Sequence, residues 1–593
     1  MSGPADPSPS GLSSRMARLN PFKSKSPRHD SVDDDDKGEE IDANTVAGGG
    51  HRALPTDVTQ PRLRVSRTLK SFLAREGILS EDDAEGLNAL LDMPTVCPPA
   101  HVLDRSHPLP EYFISSSHNT YLMAHQLFGT STAEAYETTL KAGARCIEID
   151  AWDNPDNKAE PKVTHGFTLV SNIPFRAVCE TIRDVVDHEA AAPAIQGYAP
   201  APILVSLENH CDGPGQLRLA QIMREVWGDR LLSAPVREKG HNEQDGVGSH
   251  VRLEELGSKI AVVVEYHLPD EANDSPSDSS SSSSSDSEDE KQAQEEYKAR
   301  KKAAVPTIII PELAELGIYA QSVKPGRDTS WYTSGKPKDG PDFHLINMSE
   351  SGLASHLDHA AEIARHNSHH LMRVFPKGTR ISSRNLSPVP FWAIGAHIAA
   401  LNWQSFGASM QLNDALFAGT AGYVLKPDAL RSGGSGVVSR DAPRRVLRLR
   451  VAGATDVPLP KSRKADDPVK PYLTCSLVQP GGGAKPVTCK RKTTAYHPRK
   501  GLSLPLLGLV AEAPIQTEPI WDETLEWEYN DDQLVFLRML VKSDDSFSSN
   551  PVLAVTAVRL LYVESGWRFV RLLNLRGGET GCSVLVNFEI QDV

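Results

Sequence analysis

YFISSSHNTY, residues 112–121, is the stretch that decides the fold, because a short apolar strand runs directly into polar residues. Residues 112–116 predict a β-strand, and His118 and Asn119 stand just past its end. In a barrel of alternating strands and helices, the carboxyl ends of the strands form the active site. This stretch therefore predicts the first strand of such a fold together with part of its site.

Three further predicted strands deliver ionisable residues at the same end. These residues are Glu148 and Asp150 in RCIEIDAWD, His165 in THG, and Glu208 in ILVSLENH. Residues two apart in a strand point to the same face, so Glu148 and Asp150 are expected to lie side by side. Each residue alone has an ordinary explanation, such as an ion pair with Arg145 or a strand-end cap. Repetition over four successive strands makes coincidence a poor account.

Strand-like and helix-like runs alternate between residues 101 and 430. The candidate strands are 112–116, 145–149, 162–165, 203–207, 259–264, 318–322, 371–375 and 398–402. Eight alternating units predict an α/β fold, a (β/α)8 barrel of the TIM type, interrupted after the fifth strand by an acidic segment. The spacing alone leaves an open, doubly wound sheet as the alternative.

Composition divides the rest of the chain. Pro, Ser, Gly and charge dominate the N-terminal region, and residues 270–290 contain eight acids and no base, so both predict disorder. Short strand-like runs near the C-terminus predict an all-β module. The expected domains are a disordered tail at 1–60, a helical lead-in at 61–100, the first barrel half at 101–268, an acidic disordered linker at 269–305, the second barrel half at 306–431 and the β module at 444–593.

Chain length, net charge, cysteine spacing and the length of apolar runs limit the class of protein. A chain of 593 residues is too long for one core, and a net charge of −14 argues against general nucleic-acid binding. The seven cysteines are scattered without a CxxC pair, which favours a reducing compartment over a disulfide framework or a zinc site. No apolar run reaches the roughly 18 residues that span a bilayer, and the first residues lack an apolar signal segment. We therefore expect a cytoplasmic monomer whose membrane contact is peripheral.

The residue types of the predicted site select its chemistry. Glu148, Asp150 and Glu208 supply carboxylate oxygens and Asn119 an amide oxygen, a set suited to Ca2+ or Mg2+ rather than Zn2+. Two histidines beside such a metal suit phosphoryl chemistry, because one can stabilise a pentacoordinate phosphate and the other can protonate a leaving oxygen.

These motifs resemble the catalytic core of eukaryotic phosphoinositide-specific phospholipases C, in a delta-like layout. YFISSSHNTYL, EIDAWD, HG and SLENHC are similar to its first half, and LMRVFPKGTRISSRN, AALNWQ and GYVLKP to its second half. The acidic segment resembles the linker between the halves, and the β module resembles the family's C2 domain. The similarity covers about residues 100–593. No pleckstrin-type domain or clear EF-hand is evident, and residues 61–100 would be an EF-hand-like remnant.

The resemblance implies calcium-dependent hydrolysis of phosphoinositides at an anionic membrane, giving diacylglycerol and an inositol phosphate for intracellular lipid and calcium signalling. His118 would stabilise the transition state, and His165 would protonate the leaving oxygen. Glu148 or Glu208 would take the proton of the attacking inositol 2-hydroxyl. The implied Ca2+ ligands are Asn119, Glu148, Asp150 and Glu208.

The resemblance also bears on the choice of headgroup. Two lysines that grip headgroup phosphates in the family align with Val263 and Glu265, and neither residue can pair with phosphate. We therefore expect phosphatidylinositol or its monophosphate to be favoured over the bisphosphate, unless another basic side chain substitutes. The implied substrate-binding residues are Arg373, Phe375, and Asn347 or Ser349.

Membrane contact and regulation are implied in the same way. Leu127, Phe167 and Leu169 match an apolar ridge that family members insert into the bilayer, with ordinary packing as the alternative. The acidic linker would cover the site and be repelled by an anionic membrane, or it would be a passive spacer. Its serines also suit an acid-directed kinase.

The β module departs from the family pattern. Asp467 and Asp545 match calcium-loop acids, whereas Ser543 and Pro551 stand where other acids are usual. Together with the lost lysines, these changes suggest as an alternative a catalytically impaired, membrane-associated scaffold. The complete histidine and carboxylate set argues against that alternative. A third hypothesis is a glycerophosphodiester phosphodiesterase on the same barrel. The resemblance of both barrel halves to phospholipase C, together with the C2-like module, disfavours it.

Overall fold

The computed structural model describes residues 62–123, 130–164, 172–191, 200–237, 250–268, 308–377, 384–438, 442–460, 469–497, 516–544 and 551–593. Of the two units into which the chain divides, Met1–Lys37 lies outside these ranges and Gly38–Val593 contains all of them. The expectations for the tail at 1–60 and the acidic linker at 269–305 fall wholly outside the described residues.

The described strands and helices follow the chain in two regions, a mixed region and then an all-β region. The strands are β1 (Tyr112–Ile114), β2 (Leu122–Met123), β3 (Thr130–Ser131), β4 (Cys146–Trp152), β5 (Lys162–Val163), β6 (Ile173–Pro174), β7 (Ile203–His210), β8 (Ile260–Glu265), β9 (Gln321–Val323), β10 (His344–Ser349), β11 (Leu371–Phe375), β12 (Ile398–Ala399), β13 (Tyr423–Leu425), β14 (Arg444–Thr455), β15 (Pro471–Gln479), β16 (Val487–Lys492), β17 (Ile520–Asn530), β18 (Phe536–Ser543), β19 (Val552–Arg559), β20 (Gly566–Leu573) and β21 (Glu579–Asp592). The α-helices are α1 (Arg67–Arg75), α2 (Ala84–Asp92), α3 (Glu134–Lys141), α4 (Phe175–Ala190), α5 (Gly213–Trp227), α6 (Leu253–Leu256), α7 (Pro311–Ala314), α8 (Ser330–Thr333), α9 (Glu350–Ala354), α10 (Ala360–His366), α11 (Val389–Trp392) and α12 (Ala408–Phe417). In the described ranges, no helix is long and apolar enough to cross a membrane.

Parallel strands of the mixed region close into a barrel. Within the described residues its members are β1, β4, β7, β8, β9, β10, β11 and β12, each parallel to its neighbour. A parallel bridge between Ser116 and Cys146 closes the ring between β1 and β4. Inward side chains such as Ile114, Leu345 and Ile398 form one apolar cluster, and outward side chains pack against the helices in another. The predicted (β/α)8 barrel is confirmed.

The predicted order of the barrel strands was wrong in one place. Residues 162–165 do not enter the barrel, because β5 pairs antiparallel with the end of β4 and extends its rim. The missed barrel strand is β10, whose sequence HLINMS carries polar residues on its inward face and lacks a continuous apolar run. The acidic insertion therefore follows the fourth barrel strand rather than the fifth.

The C-terminal region is the predicted C2-like module. Among the described residues, its strands pair antiparallel in the order β16-β15-β18-β19-β20-β21-β14-β17 around a separate apolar core. Its β18 and β19 lie against α12 of the barrel region. Arg538 Nε donates to Gln411 Oε1 at 2.6 Å, and the Tyr562 hydroxyl donates to the Leu416 carbonyl at 2.9 Å. The module is thus fixed to the barrel by buried polar contacts as well as apolar ones.

The helical lead-in packs on the C2-like module. Leu69, Phe72 and Leu73 of α1 form an apolar cluster with Ala452, Phe569 and Leu585 of the module and with Leu90 of α2. Phe72 also packs edge-on against Trp567, with ring centroids 5.6 Å apart. Apolar helix periodicity was visible in the sequence, but the surface that receives it lies several hundred residues away.

Candidate active site

Side chains that alternate along the barrel strands place the candidate site at the carboxyl ends of the strands. On β4, Ile147 and Ile149 belong to the outer cluster between strands and helices, so Cys146, Glu148 and Asp150 point into the barrel. The inward positions therefore change from apolar to acidic towards the carboxyl end of the strand. The same change occurs on β7, where register places Ser206 beside Glu148 and Glu208 beside Asp150.

A buried ion pair joins the two halves of the barrel. Arg373 Nη2 donates to Glu148 Oε1 at 2.6 Å, and each side chain is 2% exposed. Arg373 Nη1 also donates to Asn347 Oδ1 at 3.0 Å. Asn347 thus contacts the site core, whereas the Ser349 hydroxyl accepts from the Gly352 N–H at 3.2 Å and caps α9.

The second oxygen of Glu148 is held by the first strand. The Asn119 backbone N–H donates to Glu148 Oε2 at 2.6 Å. Asn119 has φ of 47°, the left-handed region that Asn tolerates better than most residues. This turn just after β1 brings both the amide group of Asn119 and the ring of His118 to the mouth of the barrel.

One carboxylate oxygen of Asp150 is hydrogen-bonded, and the other could serve as a metal ligand. The Tyr121 hydroxyl donates to Asp150 Oδ2 at 2.5 Å. Asp150 Oδ1 is buried and has no hydrogen-bond partner among the described residues. Asp150, Glu208 and His210 offer ligand atoms within 4.8 Å of one another. An orphaned carboxylate oxygen in an oxygen-rich donor set fits a hard cation such as Ca2+.

The carboxyl groups of this cluster repel one another. Burial raises the pKa of Glu148 to about 8, although Arg373 opposes the shift and Glu208 adds to it. Burial and the charges of Glu208 and Glu148 raise the pKa of Asp150, and Arg373 again opposes the shift. Burial also opposes ionisation of Glu208, but Lys324 and Arg373 outweigh it and lower its pKa. A divalent cation would relieve the repulsion by displacing the remaining protons.

His118 is oriented by Asn402, a residue to which the sequence motifs assigned no role. His118 Nδ1 lies 2.8 Å from Asn402 Oδ1, and because a carbonyl oxygen only accepts, Nδ1 carries the hydrogen. Asn402 is fixed in turn by Asn385, whose side chain bonds both its backbone N–H, at 2.6 Å, and its carbonyl, at 2.9 Å. The ring of Phe375 lies parallel to His118, with centroids 6.4 Å apart. In AALNWQ, Asn402 follows the inward residues Ile398 and Ala400 at the same two-residue interval, so alternation could have found it.

The barrel mouth at the ends of β8 and β9, where the resemblance predicts headgroup contacts and which we call the headgroup corner, carries a charge pair. Val263 is buried within the barrel and Glu265 stands at the end of β8. Glu265 Oε1 lies 3.3 Å from Lys324 Nζ, and its Oε2 accepts from the Asn209 N–H at 3.3 Å. Lys324 follows β9, the next strand of the barrel, so a basic side chain does reach this corner, already paired with an acid.

Some predicted residues lie outside the described part of the chain. They are His165, the ridge residues Leu127, Phe167 and Leu169, and the β-module acids Asp467 and Asp545. Ser543 is described: it is buried, and its hydroxyl accepts from the Lys470 N–H at 3.3 Å. Its position in the module core is that of a structural residue.

Comparison with protein families accounts for both barrel halves. The X domain of phosphatidylinositol-specific phospholipase C matches residues 105–266, and the Y domain of the same family matches residues 313–429. The chain belongs to the phosphoinositide-specific phospholipase C family. The two matches include every barrel strand found in the described residues, and the unmatched segment between them contains the acidic insertion.

Curated relatives and a solved structure agree with this family. A 1-phosphatidylinositol 4,5-bisphosphate phosphodiesterase of Dictyostelium discoideum is 31% identical over 517 residues, covering 79% of this chain and 57% of the relative. The delta-3 enzyme of that name from Mus musculus is 32% identical over 500 residues, covering 82% and 58%. The crystal structure of L. pealei PLC21 matches with a TM-score of 0.66 at 25% identity, covering 87% of this chain and 60% of that one. The chain thus spans a little over half the length of these curated phospholipase C relatives.

Proposed function

We propose that this chain is a calcium-dependent phosphoinositide phospholipase C. It acts as a peripheral enzyme at the cytosolic face of an anionic membrane and releases diacylglycerol and an inositol phosphate for signalling. The observation that carries the proposal is the convergence of Glu148, Asp150, Glu208, Arg373 and His118 at one mouth of the barrel. Such a set serves cation binding and phosphoryl transfer together, and a scaffold would not need it.

The residues divide the reaction between them. Asn119, Glu148, Asp150 and Glu208 would hold Ca2+, which when bound would make the inositol 2-hydroxyl more acidic and offset phosphate charge. The hydroxyl oxygen bonds to phosphorus as Glu148 or Glu208 takes its proton.

His118, with Nδ1 committed to Asn402, directs Nε2 to a phosphate oxygen, and Arg373 adds positive charge beside it. The bond from phosphorus to the diacylglycerol oxygen breaks as that oxygen takes a proton, the role predicted for His165. The first product is the cyclic inositol phosphate.

The headgroup corner favours a substrate of lower charge. Val263 offers no polar group, and Glu265 neutralises Lys324. We propose that the bisphosphate loses the advantage it has where two free cations line this corner, so phosphatidylinositol or its monophosphate competes well. The monomeric state, the membrane ridge and phosphorylation of the Ser-rich segment 269–305 by an acid-directed kinase remain predictions from the sequence.

Hydrolysis of mixed vesicles tests the proposal. Phosphatidylinositol, its 4-phosphate and its 4,5-bisphosphate are compared with and without Ca2+, using the wild type, His118→Ala and, as a matched control, His188→Ala at an exposed position of α4. We expect calcium-dependent release that His118→Ala abolishes and His188→Ala preserves. If none of the three lipids is cleaved, even after deletion of residues 270–300, the enzyme proposal fails and the scaffold remains.

A further inference from the structure

A histidine-rich segment lies at the end of the barrel opposite the candidate active site. HLDHAAEIARHNSHH, residues 356–370, contains five of the chain's 20 histidines, a composition typical of metal binding. His366 ends α10 and His344 begins β10, so both stand at the amino-terminal ends of barrel strands. At about 3.3 Å per residue, the Ser349 end of β10 lies ~16 Å away.

Two buried histidines of this region face each other through the same ring nitrogen. Nε2 of His344 lies 2.9 Å from Nε2 of His366, and both side chains are buried. His366 Nδ1 lies 2.9 Å from Asn367 Oδ1, in an amide oriented by its Nδ2, which donates to the Ile394 carbonyl at 2.8 Å. His344 Nδ1 lies 3.2 Å from the Pro341 carbonyl oxygen. Both oxygens only accept, so both Nδ1 atoms carry hydrogen and both Nε2 atoms present lone pairs.

Two lone pairs at this distance need a cation between them. A neutral alternative puts the hydrogen on His344 Nε2, but it turns the lone pair of Nδ1 towards the Pro341 carbonyl. A shared proton would make one ring an imidazolium, and both rings are buried, where an unpaired charge is costly. A metal ion, by contrast, is bound by neutral imidazole.

We propose that His344 and His366 bind a transition-metal ion of the Zn2+ class through their Nε2 atoms. Imidazole nitrogen is a favoured ligand of such ions, and an Nδ1–H donated to a carbonyl is the usual outer contact of a metal-binding histidine. With Zn–N distances of about 2.0–2.1 Å, tetrahedral geometry separates two nitrogens by ~3.3 Å. The pair would therefore open by only a few tenths of an ångström from its 2.9 Å separation.

The surroundings leave room to complete the coordination. A cavity of about 480 Å3 adjoins the pair, and its lining includes His366, His369, His370, Asp342 and Glu362. Water can reach the ion from this side. The ring of His370 stacks on His344 with centroids 4.0 Å apart, and its buried Nδ1 has no hydrogen-bond partner among the described residues.

Zinc binding by the full chain tests the site. After chelator treatment, protein in excess Ca2+ is dialysed against Zn2+, so that the carboxylate site at the other mouth is occupied. We expect one bound equivalent, with X-ray absorption showing imidazole nitrogen at about 2.0–2.1 Å. His344→Phe keeps a ring against His370 but removes both nitrogens, and should weaken binding about a hundredfold or more. His369→Gln, at an exposed position of the same segment, should bind zinc as the wild type does.

Several outcomes would overturn the assignment. Zinc lost in His369→Gln but retained in His344→Phe would place the metal on surface histidines. No bound equivalent, together with an NMR resonance from a hydrogen shared by the two rings, would identify the cation as a proton. If His344→Phe unfolds, Asn367→Ala leaves both metal ligands in place and removes the acceptor of His366 Nδ1, together with the amide's bond to the Ile394 carbonyl. It should weaken zinc binding about tenfold or more, and unchanged affinity would then refute the site.

Discussion

Replacing Asn402 by leucine would test whether the held orientation of His118 matters for catalysis. Asn402 Oδ1 accepts the hydrogen of His118 Nδ1 at 2.8 Å, and its side chain is fully enclosed. Leucine has nearly the same size but no acceptor. The ring would keep its packing and lose the partner that decides which nitrogen carries the hydrogen.

The magnitude follows from that one contact. Leaving a buried donor unpaired costs about 1–3 kcal/mol. If this free energy is added in full to the activation barrier, kcat falls by ~5- to ~150-fold. KM for the lipid should change less, because no contact with the bulk of the lipid is removed.

The assay is the initial rate of inositol phosphate release from mixed vesicles at saturating Ca2+, over a range of pH. Asn402→Asp keeps an acceptor and adds a charge that favours the imidazolium, so it should retain more activity and move the pH profile upward. Asn157→Leu, in an exposed turn, serves as the control. A full rate for Asn402→Leu at every pH would refute the orienting role, as would a loss fully explained by unfolding.

Four other changes probe the rest of the molecule. Asp150→Asn should raise the Ca2+ concentration for half-maximal activity about tenfold or more, and an unchanged calcium titration would remove Asp150 from the site. Because the pKa of Glu148 is raised to about 8 without metal, its carboxylate becomes protonated as pH falls below that value; Ca2+ affinity measured by calorimetry should then fall by up to ~tenfold per pH unit, and a flat profile would contradict this. Phe72→Ala should destabilise the fold by about 3–5 kcal/mol in denaturant titrations, whereas a shift under 1 kcal/mol would show that α1 contributes little. Glu265→Gln removes the negative charge that faces Lys324 and should raise cleavage of the bisphosphate relative to phosphatidylinositol; an unchanged ratio would show that the pair does not set headgroup choice.

Local patterns in the sequence were enough to predict how the two acidic side chains of β4 in the candidate site lie relative to each other. Glu148 and Asp150 lie on one face of β4 as their spacing predicted, because strand geometry fixes that relation without any partner. The strand β10 was missed for the opposite reason: two of its inward positions, Asn347 and Ser349, are polar, so the continuous apolar signal of a buried strand is absent. The pairing of Glu265 with Lys324 depends on the register between β8 and β9, which no local pattern specifies.

The contacts between α12 and the C2-like module bear on how deletions should be interpreted. Tyr562 and Arg538 reach into α12, and every turn of that helix is buried beneath the module or the barrel. A truncated chain ending near residue 440 would expose this face to water and to aggregation. Loss of activity after such a truncation would then reflect destabilisation of the barrel rather than loss of membrane binding. Membrane docking by the C2-like module is better tested by point changes on the exposed side of β16, such as Lys492→Glu, because they leave the contacts with α12 intact.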